Sequence, residues 1–130
     1  MAVSVNFSTA SIPVTGSPYT ITSTYGGDNS LQPTADDIST ALTVSPSVLT
    51  ITANDVSKPF GTTLTGGSGS TAFSASGLQN GESAGTVTIA YGAGAGATDA
   101  AGTYTGSVTP SVLTGGTLNA ANYSVTYVPG

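Results

Sequence analysis

An all-β fold, a sandwich of antiparallel strands, is what this sequence predicts, and three observations predict it. Short runs alternate apolar with small polar side chains, the two-residue period of a half-buried strand. Gly and Pro punctuate those runs at short intervals. Helical periodicity is nearly absent.

Taken in order, the alternating runs are Val3-Ser4-Val5-Asn6-Phe7, Tyr19-Thr20-Ile21-Thr22-Ser23-Thr24-Tyr25 and Ala41-Leu42-Thr43-Val44. Then come Leu49-Thr50-Ile51-Thr52-Ala53, Thr86-Val87-Thr88-Ile89-Ala90-Tyr91 and Asn122-Tyr123-Ser124-Val125-Thr126-Tyr127. Each puts Val, Ile, Leu, Tyr or Phe on one face and Thr, Ser or Asn on the other, as a sheet does with one face in a core and one in water. Thr suits the wet face: its branched β-carbon favours extended backbone while its hydroxyl meets solvent. Gly26-Gly27-Asp28-Asn29, Gly66-Gly67, Asn80-Gly81 and Gly115-Gly116 supply turn residues tolerant of positive φ. The seven prolines, Pro110 among them, are expected in or beside polar connectors, where no ladder hydrogen bond is lost. The tract Gly92-Ala93-Gly94-Ala95-Gly96-Ala97 reads as a flexible loop.

Composition narrows function. The chain has 130 residues, enough for one compact domain or two very small ones, and charged residues are only 5% of it. Ser, Thr and Gly together make up roughly 45%, so hydroxyls supply the solubility that charge does not. With no His, Cys, Trp or Arg, no Ser-His-Asp or Cys-His catalytic set can be assembled, and zinc, haem and iron–sulfur sites lose their usual ligands. The chain is therefore not expected to be an enzyme. One Lys against six acidic residues gives a net charge of −5, so neither nucleic-acid binding nor attraction to an anionic membrane surface is expected. No apolar run approaches the ~18 residues that span a bilayer. Met1 leads straight into Ala2-Val3-Ser4-Val5 without a basic segment, so no signal peptide is expected here.

An internal repeat organises the chain. Ser17-Pro18-Tyr19-Thr20-Ile21-Thr22 and Ala101-Gly102-Thr103-Tyr104-Thr105-Gly106 occupy equivalent places, each followed by a final strand, Ser39 to Val44 and Tyr123 to Val128. Nothing before Val3 matches the opening Ser47-Val48-Leu49-Thr50-Ile51-Thr52-Ala53. The expected organisation is a partial repeat over 1–45 and a fuller one over 46–130, with a short junction at Ser45-Pro46-Ser47.

Residues 48–130 resemble an MBG domain, a bacterial immunoglobulin-like repeat of large surface and secreted proteins. The resemblance is carried by Leu49 to Gly61, ending in Lys58-Pro59-Phe60-Gly61, where the family has an aromatic residue followed by Gly. It continues through Phe73, Gly77-Leu78-Gln79-Asn80-Gly81-Glu82, Gly102-Thr103-Tyr104 and Asn122 to Gly130. Residues 1–45 resemble the C-terminal part of a related repeat, through Tyr25-Gly26-Gly27-Asp28 and Ser39-Thr40-Ala41-Leu42-Thr43-Val44. The resemblance implies an immunoglobulin-like antiparallel β-sandwich, one full repeat plus a partial one, and an extracellular or cell-surface location. It implies a spacer or adhesin role with no catalytic residues.

Four candidate sites follow. Lys58 is the one cation, near Asp55, Glu82 and Asp99 in its unit. A desolvated Lys is a nucleophile, so an isopeptide crosslink to Asn119 or Asn122 is chemically open, though a surface lysine is the simpler expectation. Asp28, Asn29, Asp36 and Asp37 offer the hard oxygens calcium takes, without EF-hand or nonapeptide spacing, so backbone capping is the simpler expectation and no cofactor is expected. Recurring Thr-X-Thr pairs are the outer faces of twisted strands rather than a flat ice-binding array. Tyr19, Tyr25, Tyr91, Tyr104, Tyr123 and Tyr127 are expected to pack and to supply a corner hydrogen bond rather than a glycan-binding surface.

The functional expectation is a non-catalytic spacer or stalk repeat, its partners being neighbouring repeats of the same protein. The alternative is an extracellular filament whose identical subunits complete one another's sheets by strand addition. A carbohydrate-binding module is the weaker alternative.

Overall fold

The structure is a computed structural model that describes residues 6–130. The strand expected over Val3–Phe7 therefore lies largely outside the described residues. The chain divides into two compact units, one through Pro46 and one from Ser47 to Gly130.

In the first unit, β1 (Tyr19–Ser23) pairs antiparallel with β2 (Asp37–Leu42), Tyr19 facing Leu42 and Ile21 facing Thr40. The Tyr19 hydroxyl lies 2.8 Å from the Pro13 carbonyl and 2.7 Å from that of Thr15, folding the approach segment against the ring. Ser17 Oγ accepts from the Val44 N–H at 2.8 Å and closes the base of the ribbon. Two strands cannot enclose a core, and none of residues 6–46 is buried. Ile38 is 65% exposed and Ile21 44%.

The second unit carries six strands: β3 (Ser47–Ala53), β4 (Gly67–Ser70), β5 (Phe73–Ser76), β6 (Ala84–Tyr91), β7 (Val108–Gly116) and β8 (Tyr123–Val128). They form two three-stranded sheets in the orders β5-β3-β8 and β4-β6-β7. Leu49, Ile51 and Ala53 from β3 and Tyr123 from β8 meet Val87 and Ile89 from β6 and Val108 from β7 in one core. The alternation of β3 and β6 produces this directly, since every second residue points inward. The β4–β5 run changes sheet around Thr71-Ala72, β4 pairing with β6 and β5 with β3, as corners of sandwiches do.

The expected immunoglobulin-like β-sandwich is the fold found, with one feature that alternation alone does not announce. β3 and β8 pair in parallel, Ser47 beside Tyr123 and Thr52 beside Val128. The chain thus enters this unit at one end of the sandwich and leaves at the other.

Two expectations need correction. Pro110 does not sit in a connector: it lies within β7, buried and facing Ile89 of β6. β7 is an edge strand with a ladder on one side only, so a missing N–H on the open side costs no ladder bond. The Ala/Gly tract is not a loose loop either. Gly92 N–H donates to the Ser107 carbonyl at 2.8 Å, Leu64 N–H to Ala95 at 3.0 Å and Gly61 N–H to Ala97 at 3.1 Å. Small side chains let two backbones approach this closely.

β7 also carries a bulge. Thr86 and Thr88 of β6 face Thr114 and Ser111, so β7 has one residue more across the same span. Within the bulge Val112 adopts φ +47°, a strained conformation for a β-branched residue. The amide that follows is held from the other sheet, Leu113 N–H donating to the Tyr127 hydroxyl at 2.8 Å.

At the entry end, the β5–β6 and β7–β8 turns are clasped together. Ser83 N–H donates to Thr117 Oγ1 at 2.8 Å, and the Thr117 N–H returns a bond to the Ser83 carbonyl at 3.0 Å. The Tyr123 hydroxyl donates to Glu82 Oε2 and accepts from the Gln79 N–H at 2.9 Å. The Glu82 carboxylate beside it, with partial burial, raises the Tyr123 phenol above its ordinary value. A group raised on folding stabilises fully below its unfolded value, near ~10, and loses that contribution as pH climbs through the folded one. In urea titrations from pH 8 to 11, the chain is expected to exceed Tyr123→Phe in midpoint, by a margin that shrinks above pH 10. A margin constant to pH 11 would show that this hydroxyl titrates alike in both states.

Candidate functional site

The exit end of the second unit is where loops and chain gather. The connector after β3, the loop between β6 and β7 and the final Pro129-Gly130 surround an open cleft of about 650 Å³. Its walls carry Phe60, Tyr91 and Tyr104, with Asp55, Lys58 and Asp99 between them.

Lys58 organises this end. Its ammonium donates to the Thr62 carbonyl at 3.0 Å and to the Gly96 carbonyl at 2.8 Å. That one side chain ties its own turn to the Ala/Gly tract across the mouth of the sandwich. The turn is further closed by the Thr62 hydroxyl, which donates to the Pro59 carbonyl at 2.8 Å. Gly61 sits in it at φ +91°, the left-handed region that glycine enters without a steric penalty. Phe60, just before it, is thrown outward and is 71% exposed.

The opposite wall is built on Tyr104 and Asp99. Asp99 Oδ2 accepts from the Gly96 N–H at 2.8 Å, and the Tyr104 hydroxyl donates to the Ala100 carbonyl at 2.8 Å. Tyr19 makes the same four-residue return to Thr15 in the first unit. The two tyrosines that the internal repeat aligns thus form the same corner, one in each unit.

The other candidates lie elsewhere. Asn119 caps the short 3-10 turn Ala120–Asn122, its Oδ1 accepting from the Ala121 N–H at 3.1 Å. Asn122 closes that turn through its N–H to the Asn119 carbonyl at 2.9 Å. The turn precedes β8, at the entry end, whereas Lys58 stands in the exit-end loops.

In the first unit, Asp28 Oδ1 accepts from the Ser30 N–H at 2.7 Å and the Leu31 N–H at 2.9 Å, an Asx turn between β1 and β2. Those two backbone bonds, with one from the Tyr25 hydroxyl, hold its carboxyl below the usual range. Asp37 is lowered likewise by the Ser39 hydroxyl and by the Ser39 N–H at 2.9 Å. Partial desolvation first, and the Asp28 carboxylate second, raise Tyr25. Asn29 and Asp36 are exposed. Among the described residues, no three His, Cys, Asp or Glu side chains come together as a metal site. Among the same described residues, no helix is long and apolar enough to cross a membrane.

Of the residues singled out by sequence, the structure brings Lys58, Phe60, Tyr91, Tyr104, Asp55 and Asp99 to one cleft. Val56 and Gly130 join them there; both lie in segments that carry the family resemblance, and neither is among the candidate site residues read from the sequence. Comparison with known proteins adds one match: the family model described as MBG domain (YGX type) matches residues 49–130, well over half of the chain. Neither a curated protein nor a solved structure matches.

Proposed function

The chain belongs to the MBG domain family of the YGX type, and from that premise we propose that it is a repeat module of a bacterial surface protein, working there as a non-catalytic spacer. The observation that carries this reading is the parallel pairing of β3 with β8. First and last strands run the same way, so a chain entering at Ser47 leaves at the far end of the sandwich. Modules joined in that manner add their lengths instead of folding back. β3 alone, with 7 residues, spans about 23 Å at a strand's rise. The low charge, the net negative sign and the threonine-rich faces suit a surface that meets water without attracting polyanions. An extracellular location belongs to the same proposal.

Small-angle X-ray scattering on head-to-tail fusions tests it. Each added copy of residues 47–130 is expected to lengthen the particle by on the order of 30–40 Å, a long strand plus its end loops. Fusions whose maximum dimension barely grows would overturn the spacer reading.

A second reading, a filament subunit completed by strand addition between chains, is favoured by the β1–β2 ribbon. That ribbon exposes Ile21 and Ile38 and buries nothing among residues 6–46. Light scattering after size-exclusion chromatography, with negative-stain imaging, separates the two. A monomer of the formula mass supports the spacer, and regular polymers support the filament.

A further inference from the structure

The exit-end cleft is open, with three apolar or aromatic side chains exposed on it and three of its polar side chains already engaged. Phe60 is 71% exposed, Val56 45% and Tyr104 39%, and all three line it. Lys58 faces the Thr62 and Gly96 carbonyls, Asp99 the Gly96 N–H and Tyr104 the Ala100 carbonyl, so these three polar side chains are engaged within the protein. A sugar site keeps donors and acceptors aimed at its ligand. Here those of Lys58, Asp99 and Tyr104 are turned inward and hold the loops in place.

Gly130 lines the same cleft, so a residue added after it emerges among those apolar side chains. The internal repeat says how soon another unit can begin. Tyr19 and Tyr104 stand 85 residues apart, an offset that matches Gly130 to Ser45. Only residues 43–46 separate β2 from β3, a span of at most ~14 Å even when fully extended. A unit that followed at the same spacing would begin within that distance of Gly130. The entry end it presents carries Val48, 64% exposed on β3. A tether this short gives an effective concentration in the millimolar range or above, so a small apolar patch suffices to order the joint.

We propose that the apolar mouth of this cleft, Phe60 with Val56 and Tyr104 around Gly130, is the seat on which the entry end of a following repeat of the same kind docks. The proposal rests on the spacer reading and adds the surface that stiffens the stalk. The aromatic residue of the aromatic-Gly turn then works as an inter-repeat contact, and Lys58 positions it.

The experiment extends the full chain after Gly130 with a second copy of residues 46–130. Amide shifts of Gly61, Thr62 and Gly94 in the first copy are expected to differ from those of the single chain. Phe60→Ser in the first copy is expected to return them to the values of the single chain carrying the same substitution and to broaden the scattering distance distribution. The same change in the second copy, whose cleft has no follower, is expected to do neither. Because Phe60 is exposed, the melting temperature of the single chain carrying Phe60→Ser should match the parent and exclude misfolding. An extended fusion whose first-copy shifts equal those of the single chain would overturn the docking and leave the spacer standing. A fusion no longer than the single chain would overturn both. Shifts at these amides on adding millimolar chito-oligosaccharide, with none on fusion, would assign the cleft to a sugar instead.

Discussion

Leu49→Ala is expected to lower the unfolding free energy of the second unit by about 3–4 kcal/mol, the middle of the range for a buried leucine. Leu49 and Ile51 have no solvent exposure and Val87 has 1%. They are the largest fully buried side chains, and they come from both sheets, β3 on one side and β6 on the other. Truncating Leu49 leaves a void facing Val87 and Ile89 that neither sheet can close without breaking its own ladder. Small domains have little stability to lose, so the variant should be partly unfolded at 37 °C. Urea unfolding followed by circular dichroism measures the change. A loss below 1 kcal/mol would mean that the sheets close over the gap and that this core is not the unit's main support.

Gly94→Ala is the second large effect, at about 2–3 kcal/mol. Gly94 has φ +86°, which costs a non-glycine residue roughly 1–2 kcal/mol. An added methyl would also stand 2.3 Å from Cδ2 of the Tyr104 ring. The ring can yield only by giving up its hydrogen bond to the Ala100 carbonyl, and overpacking of this kind costs about 1–3 kcal/mol. The loss should be reported by thermal unfolding. In Tyr104→Phe, which keeps the ring but frees it from the Ala100 carbonyl, the same substitution should cost less, while the backbone penalty at φ +86° remains. If Gly94→Ala proves neutral in the parent chain, the Ala/Gly tract does not pack on Tyr104 as described.

Much of this fold is legible in the sequence because alternation is a local property. Leu49-Thr50-Ile51-Thr52-Ala53 and Thr86 to Tyr91 announce strands whose inward residues are those found buried. β4, with its Gly67-Ser68-Gly69-Ser70, carries no such signal. It is a strand because it lies beside β6 at one edge of its sheet, where backbone pairing needs no apolar side chain. β7 is hidden by Pro110 and by the bulge at Val112, which shifts the inside-outside alternation by one residue midway. The first unit's final strand lies at Asp37–Leu42, earlier than Ser39–Val44, because Val44 donates its N–H to Ser17 instead of to a ladder.

The candidate site divides along the same line. Lys58 stands out as the sole cation and Phe60-Gly61 through the family motif, but their chemistry depends on Thr62 and Gly96, one of them 38 residues distant. By itself the sequence determined the all-β class, the inward faces of β3 and β6, and the lack of side chains for His- or Cys-based catalysis. Those are properties of residue type and spacing, and they hold before any long-range contact forms. Only the tertiary structure decided that β3 and β8 run parallel and that Phe60, Tyr104 and Gly130 share one cleft. Which strands become neighbours, and in which direction, is set by the apolar faces that must meet in a single core, and no local pattern encodes that choice.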